Sequence, residues 1–113
     1  REWTYSKDMA KAFLWCFKNY NSEKILNVGS TEENSVKDIT YLISDIIGFD
    51  KSKIKFDKTK PKGVLKKSTD NSEFLKVSNF QYTPFKEGLK KTIEWFNYNR
   101  KNNPEKIRLY SKA

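Results

Sequence analysis

The chain has 113 residues, 36% of them hydrophobic and 15% aromatic, enough for one domain that buries an apolar core without disulfides or structural metal. Cys16 is the single cysteine and there is no histidine, which excludes an internal disulfide, a zinc cluster and any histidine-based acid, base or triad. The formal charge of +9 raises nucleic acid as a partner, but most of the excess is lysine scattered among Asn, Ser and Asp, a pattern that compositional bias also produces.

No run approaches the roughly 18 to 20 apolar residues of a membrane span, and no charged start leads into an apolar signal segment. A cytoplasmic, reducing setting is the expectation. The chain opens on Arg1 rather than Met, which reads as the start of a piece of a longer protein. Trp3, Thr4 and Tyr5 favour an extended segment, and Ser6 is placed to cap a helix whose first turn carries Asp8, favourably set against the helix dipole. Met9, Ala10, Phe13, Leu14 and Phe17 make one apolar stripe on that helix.

Ile25 to Val28 reads as a short strand closed by Gly29. Ser35, with Asp38 three residues on, then opens a second helix with apolar positions Val36, Ile39, Ile43 and Ile46, stopped by Gly48 in a left-handed conformation. Ile54 to Asp57 alternates as a half-buried strand should, and Lys60, Pro61, Lys62 and Gly63 form a loop. A helical turn around Phe74 and Leu75 follows Asn71, and Phe80 and Tyr82 suggest another extended stretch. Thr83 as cap with Pro84 at the first helical position starts a last helix carrying Phe85, Leu89, Ile93 and Phe96 on one face. Alternating strands and helices predict an α/β (α+β) fold, a small mixed-sheet domain with about three main helices over residues 1–99, followed by a basic, mobile tail over 100–113.

Three stretches carry a resemblance. The first is the Arg1-Glu2-Trp3-Thr4-Tyr5-Ser6-Lys7-Asp8-Met9-Ala10 junction of strand and helix, and the second is Leu26-Asn27-Val28-Gly29. The third, Phe56-Asp57-Lys58-Thr59-Lys60-Pro61-Lys62-Gly63-Val64-Leu65-Lys66-Lys67, is the most discriminating. Together with Thr83-Pro84-Phe85 and Trp95-Phe96, they resemble the extended short-chain dehydrogenase/reductases and, within them, the GDP-L-fucose synthases, which epimerise and reduce GDP-4-keto-6-deoxy-mannose with NADPH. The likeness spans about Arg1 to Asn99; it departs at Trp3, where the family usually has Phe, and at Lys62, where it usually has Asp.

The resemblance implies a carboxy-terminal, substrate-binding portion in which Arg1 and Lys67 contact the pyrophosphate of GDP-4-keto-6-deoxy-mannose, with Lys60 and Lys66 as helpers and Gly63 allowing close approach. Arg supplies planar bidentate donors and Lys a mobile point charge, which suits a diphosphate. It implies no catalytic residue here. The Gly-rich loop that binds NADPH, the Tyr-x-x-x-Lys pair and the epimerising Cys and His belong to an absent amino-terminal part of a homodimeric enzyme. Tyr20 and Lys24 spell Tyr-x-x-x-Lys, but in a turn after a helix where the family has no catalytic pair, and Cys16 reads as a small core residue. The unit from Arg1 to Gly29 is expected to expose an apolar patch where the absent part would pack. Two other readings are a basic nucleic-acid-binding module with Lys51 to Lys67 as contact strip and Phe56 as stacking residue, and a non-catalytic interaction domain.

Overall fold

Ser35 and Asp38 form the strongest local signal in the chain, and the structure honours it. In the computed structural model, which describes residues 2–60, 63–64 and 66–107, the Ser35 hydroxyl accepts from the Asp38 N–H at 3.1 Å. The Asp38 carboxylate in turn accepts from the Ser35 N–H at 3.1 Å and from its hydroxyl at 2.5 Å. This reciprocal box satisfies donors that the first helical turn leaves bare. It opens α2, Val36–Ile47, which ends on Gly48 at φ 69°, the left-handed conformation read from the sequence.

The other helices are α1, Ser6–Asn19; α3, Ser72–Ser78; and α4, Phe85–Asn102. Two 3₁₀ turns cover Lys51–Lys53 and Pro104–Lys106. Two caps differ from expectation. Ser6 lies inside α1, whose cap is Tyr5, with the Tyr5 carbonyl accepting from Asp8 at 2.9 Å and Met9 at 3.1 Å. Thr83 does not cap α4, because both its N–H and its hydroxyl donate to the Asp8 carboxylate, at 2.7 and 3.0 Å. Glu32 takes over at that end and accepts the Phe85 N–H at 3.2 Å. Asp8, read as a dipole partner, is only 2% exposed and ties the starts of α1 and α4 together.

Among the described residues the expected mixed sheet is not seen: β-pairing there is limited to one isolated antiparallel bridge between Glu2 and Glu33. A strand is stabilised by a neighbour about 4.8 Å away. The segments around Trp3, Ile25 to Val28, Ile54 to Asp57 and Phe80 to Tyr82 have no such neighbour alongside among the described residues.

Packing is thin. Ala12 and Phe74 are the fully buried apolar residues among those described. Phe74 meets Trp15 edge-on with ring centres 5.7 Å apart and lies 5.4 Å from Phe80, which in turn sits 4.9 Å from Tyr82. This aromatic row joins α1, α3 and the 80–82 segment, while α2 touches α4. The stripe read on α1 lies mostly on its bare side: Phe13 is 62% and Phe17 89% exposed, and Ile25 just beyond the helix is 92% exposed. The expected bare patch on the Arg1 to Gly29 unit is therefore present. None of the helices described is long and apolar enough to cross a membrane.

Candidate anion-binding site

The loop that carries four of the five candidate binding residues begins with a side-chain-closed turn. The Asp57 carboxylate accepts from the Thr59 hydroxyl at 2.6 Å and the Thr59 N–H at 2.9 Å, reversing the chain just before Lys60. Those two bonds, the hydroxyl's first, hold the Asp57 carboxyl below the usual carboxylate range. Lys60 follows, exposed. Arg1, Pro61, Lys62 and Leu65 lie outside the described residues, so the expectations for the Arg1 contact and the Lys62 departure fall there too.

Gly63, Val64 and Lys66 form one wall of a groove of about 450 Å³. Glu33, Asn34, Ser35 and Val36, at the approach to α2, form the other. The two walls are joined by an ion pair, Lys66 Nζ to Glu33 at 3.1 Å. Both partners are exposed, so water screens the pair and it adds little to stability. It still has an electrostatic consequence: the hydrogen bond from Lys66 holds the Glu33 carboxyl below its usual range, and the Lys66 charge is already answered. Lys67, the next residue, is exposed and has no acidic partner among the described residues.

The structure thus brings Gly63 and Lys66 into one groove, while Lys60 and Lys67 lie in the same loop but do not line it. Sequence reasoning gave no function to Glu2 or Glu33, which anchor this loop. Glu2 accepts main-chain N–H groups from Ser30 at 2.8 Å and from Thr69 at 2.7 Å, and Asn71 donates to the Gly29 carbonyl. The available signal was a carboxylate beside a predicted strand start, with no residue of the sequence naming its partners. Tyr20, of the Tyr-x-x-x-Lys spelling, donates its hydroxyl to the Lys24 carbonyl at 3.1 Å in an exposed turn.

A second cavity, about 410 Å³, lies between α1, α2 and α4 among Trp3, Tyr5, Ile43, Tyr82 and Leu89. Its two carboxylates, Asp8 and Glu32, are engaged by Thr83 and the Phe85 N–H, which leaves it a packing space rather than a charged site. Among the described residues no group of three His, Cys, Asp or Glu side chains is placed to hold a metal ion.

No family model matches the chain. Individual proteins do. The GDP-L-fucose synthase of Dictyostelium discoideum is 36% identical over 99 residues, covering 85% of this chain and 31% of that protein. The probable GDP-L-fucose synthase 1 of Oryza sativa subsp. japonica is 31% identical over 96 residues, covering 85% of this chain and 29% of that protein. The crystal structure of a GDP-L-fucose synthetase from Naegleria fowleri bound to NADP superposes with a TM-score of 0.82 at 36% identity, over 88% of this chain and 32% of its own. Fold and loop together define the class, a segment of a nucleotide-sugar short-chain dehydrogenase/reductase. Within that class the chain belongs to the GDP-L-fucose synthase family, and it spans about a third of the length of the relatives it matches.

Proposed function

We propose that the chain is the GDP-sugar-binding, carboxy-terminal portion of an NADPH-dependent GDP-L-fucose synthase, which converts GDP-4-keto-6-deoxy-D-mannose to GDP-L-fucose by epimerisation and reduction. The observation that carries the reading is the match at 36% identity and TM-score 0.82, confined to about a third of an NADP-bound relative. In this reading the remainder of the protein binds NADPH and supplies the groups that move protons and hydride. The segment contributes cations and a wall of the cleft, and by itself is inactive. The parent enzyme is cytoplasmic and homodimeric in the same reading.

Lys67 is the cation we assign first to the diphosphate. A phosphate group competes poorly for a lysine already held by a carboxylate, as Lys66 is by Glu33, whereas Lys67 has no acid to displace among the described residues. Gly63, without a side chain, lets the groove wall approach a phosphate closely, and Lys60 adds longer-range positive potential, while Lys66, held by Glu33, helps shape the groove. Arg1 is assigned the second contact from the resemblance. We assign residues 1–99 to the substrate-binding part; the basic, mobile tail expected over 100–113 starts inside α4, which runs to Asn102, and its residues 108–113 lie outside the described residues. The segments with strand-like sequence complete a mixed sheet only with strands from the rest of the enzyme. The bare face of α1 packs there as well, since a site and core shared between two parts lose one wall when either stands alone. The relatives named above are nucleotide-sugar enzymes and lend no support to a nucleic-acid-binding module.

Titration of GDP into the full-length enzyme tests the assignment. Lys67→Ala is expected to weaken binding by about tenfold, the scale of one charge-assisted hydrogen bond. Unchanged GDP affinity in that variant removes Lys67 from the site.

A further inference from the structure

Beneath the loop lies a carboxylate that no cation answers among the described residues and that instead collects main-chain donors. Glu2 Oε1 accepts from Ser30 N–H at 2.8 Å, and Glu2 Oε2 accepts from Thr69 N–H at 2.7 Å. Thr69 is two residues beyond Lys67, so this bond pins the base of the cation-bearing loop. A second route reaches the same loop from the same residue. The Glu2 backbone pairs with Glu33 in the isolated antiparallel bridge, and Glu33 holds Lys66 at 3.1 Å.

The surroundings are shaped for this carboxylate. A Cβ on Gly29 would stand 2.1 Å from Glu2 Oε1, so the acid occupies space that only a glycine leaves free. Asn71, in the same loop return, donates to the Gly29 carbonyl and fixes the turn from the other side. The two N–H donors each meet a different acceptor oxygen of the carboxylate, on opposite sides of the group. Glutamine offers one, and its amide NH₂ would confront a donor. Aspartate offers two but is one methylene shorter.

We infer that Glu2 is a positioning residue for the anion-binding loop: by fixing Thr69 through one oxygen and Ser30 through the other, it sets where Lys67 meets a nucleoside diphosphate. The inference rests on the reading that Lys67 binds the GDP diphosphate. Its physical content is preorganisation, because a loop already held in place loses less freedom when the ligand arrives. Glu2 acts through Thr69 and does not itself touch ligand; a carboxylate beside a diphosphate would repel it.

The test uses the full-length enzyme, GDP as probe, calorimetric titration and thermal midpoints. Glu2→Gln is expected to weaken GDP binding about tenfold, the loss of one hydrogen bond to a charged group transmitted to the loop. Gly29→Ala keeps the carboxylate but displaces it, and should weaken GDP binding in the same direction. Asp8→Asn is the stability control: it breaks another long-range contact of a carboxylate, the one to Thr83, away from the loop, and should lower the thermal midpoint with GDP affinity unchanged. Wild-type GDP affinity in both Glu2→Gln and Gly29→Ala overturns the inference. So does an equal loss of affinity in Asp8→Asn, which would make the effect one of general destabilisation. If Lys67→Ala also binds GDP like wild type, the assignment of the site falls and the positioning inference falls with it; if Lys67→Ala alone is weakened, the site stands without Glu2.

Discussion

Asp8 offers the sharpest contrast between two energies. As an exposed acid in the first turn of a helix it would contribute about 0.3–1 kcal/mol, and salt would screen that contribution. The structure places it 2% exposed, accepting from Thr83 N–H at 2.7 Å and Thr83 Oγ1 at 3.0 Å, across 75 residues of sequence. Hydrogen bonds to a charged group contribute about 1.5–3 kcal/mol, and a buried donor left without its acceptor costs about 1–3 kcal/mol. Asparagine retains one acceptor oxygen and turns the other into a donor, so Asp8→Asn should destabilise the chain by about 2–3 kcal/mol. Thr83→Val removes the hydroxyl alone and should cost about 1 kcal/mol. Because the two residues share one contact, the double variant should cost less than the sum of the singles. Urea unfolding followed by far-ultraviolet circular dichroism, at low salt and at about 1 M NaCl, separates the two accounts, since the Debye length falls to about 3 Å in the latter. A cost for Asp8→Asn below about 0.5 kcal/mol, or one that disappears in high salt, refutes the buried-contact account and restores the dipole.

Two further outcomes are expected. Ser35→Ala removes the capping box of α2 and should cost about 1 kcal/mol near neutral pH. The Ser35 hydroxyl, and after it the Ser35 N–H, hold the folded Asp38 carboxyl below 3.8, so this stabilisation is complete above 3.8 and is lost as pH falls through the lower folded value. The difference between wild type and Ser35→Ala in urea midpoint should therefore shrink in strong acid; a constant difference argues against the box. On α1, replacing Phe13 and Phe17 by Lys should reduce hydrophobic-dye binding and self-association of the 113-residue chain, because both rings stand in solvent there. A wild-type chain that is a monodisperse monomer and binds no dye contradicts the bare-face account.

Much of the helical frame was readable because its causes are local. The Ser35–Asp38 box and the Gly48 stop act within a few residues, so the bounds of α2 follow from the sequence alone. The helix after Asn71 is readable for the same reason, and so is the last helix, although it starts at Phe85, one residue after the Pro84 expected to open it. The residue types of the proposed binding loop, Lys60, Gly63, Lys66 and Lys67, stand out in the sequence, but its ion pairing does not. Nothing in the order Lys66-Lys67 says that the first is held by Glu33 and the second is unpaired among the described residues. The sheet is not seen among the described residues for the opposite reason. Alternation at Ile54 to Asp57 and apolar runs such as Ile25 to Val28 report a preference for extended backbone, and pairing needs a neighbour that preference cannot provide.

The tertiary frame depends on a feature that composition conceals. In a chain of 23 basic and 14 acidic residues, attention goes to the cations, yet three carboxylates near the start do the long-range stapling. Glu2 reaches Thr69, 67 residues on, Asp8 reaches Thr83, and Glu32 reaches Phe85, 53 residues on. Each accepts a main-chain N–H rather than a lysine, so no charge pattern in the sequence could reveal the pairing. This division of labour has a chemical logic: acids occupied with backbone donors leave cations such as Lys67 without an acidic partner among the described residues. A segment whose acids instead neutralised its loop lysines would fold with more ion pairs and meet a diphosphate with less positive charge.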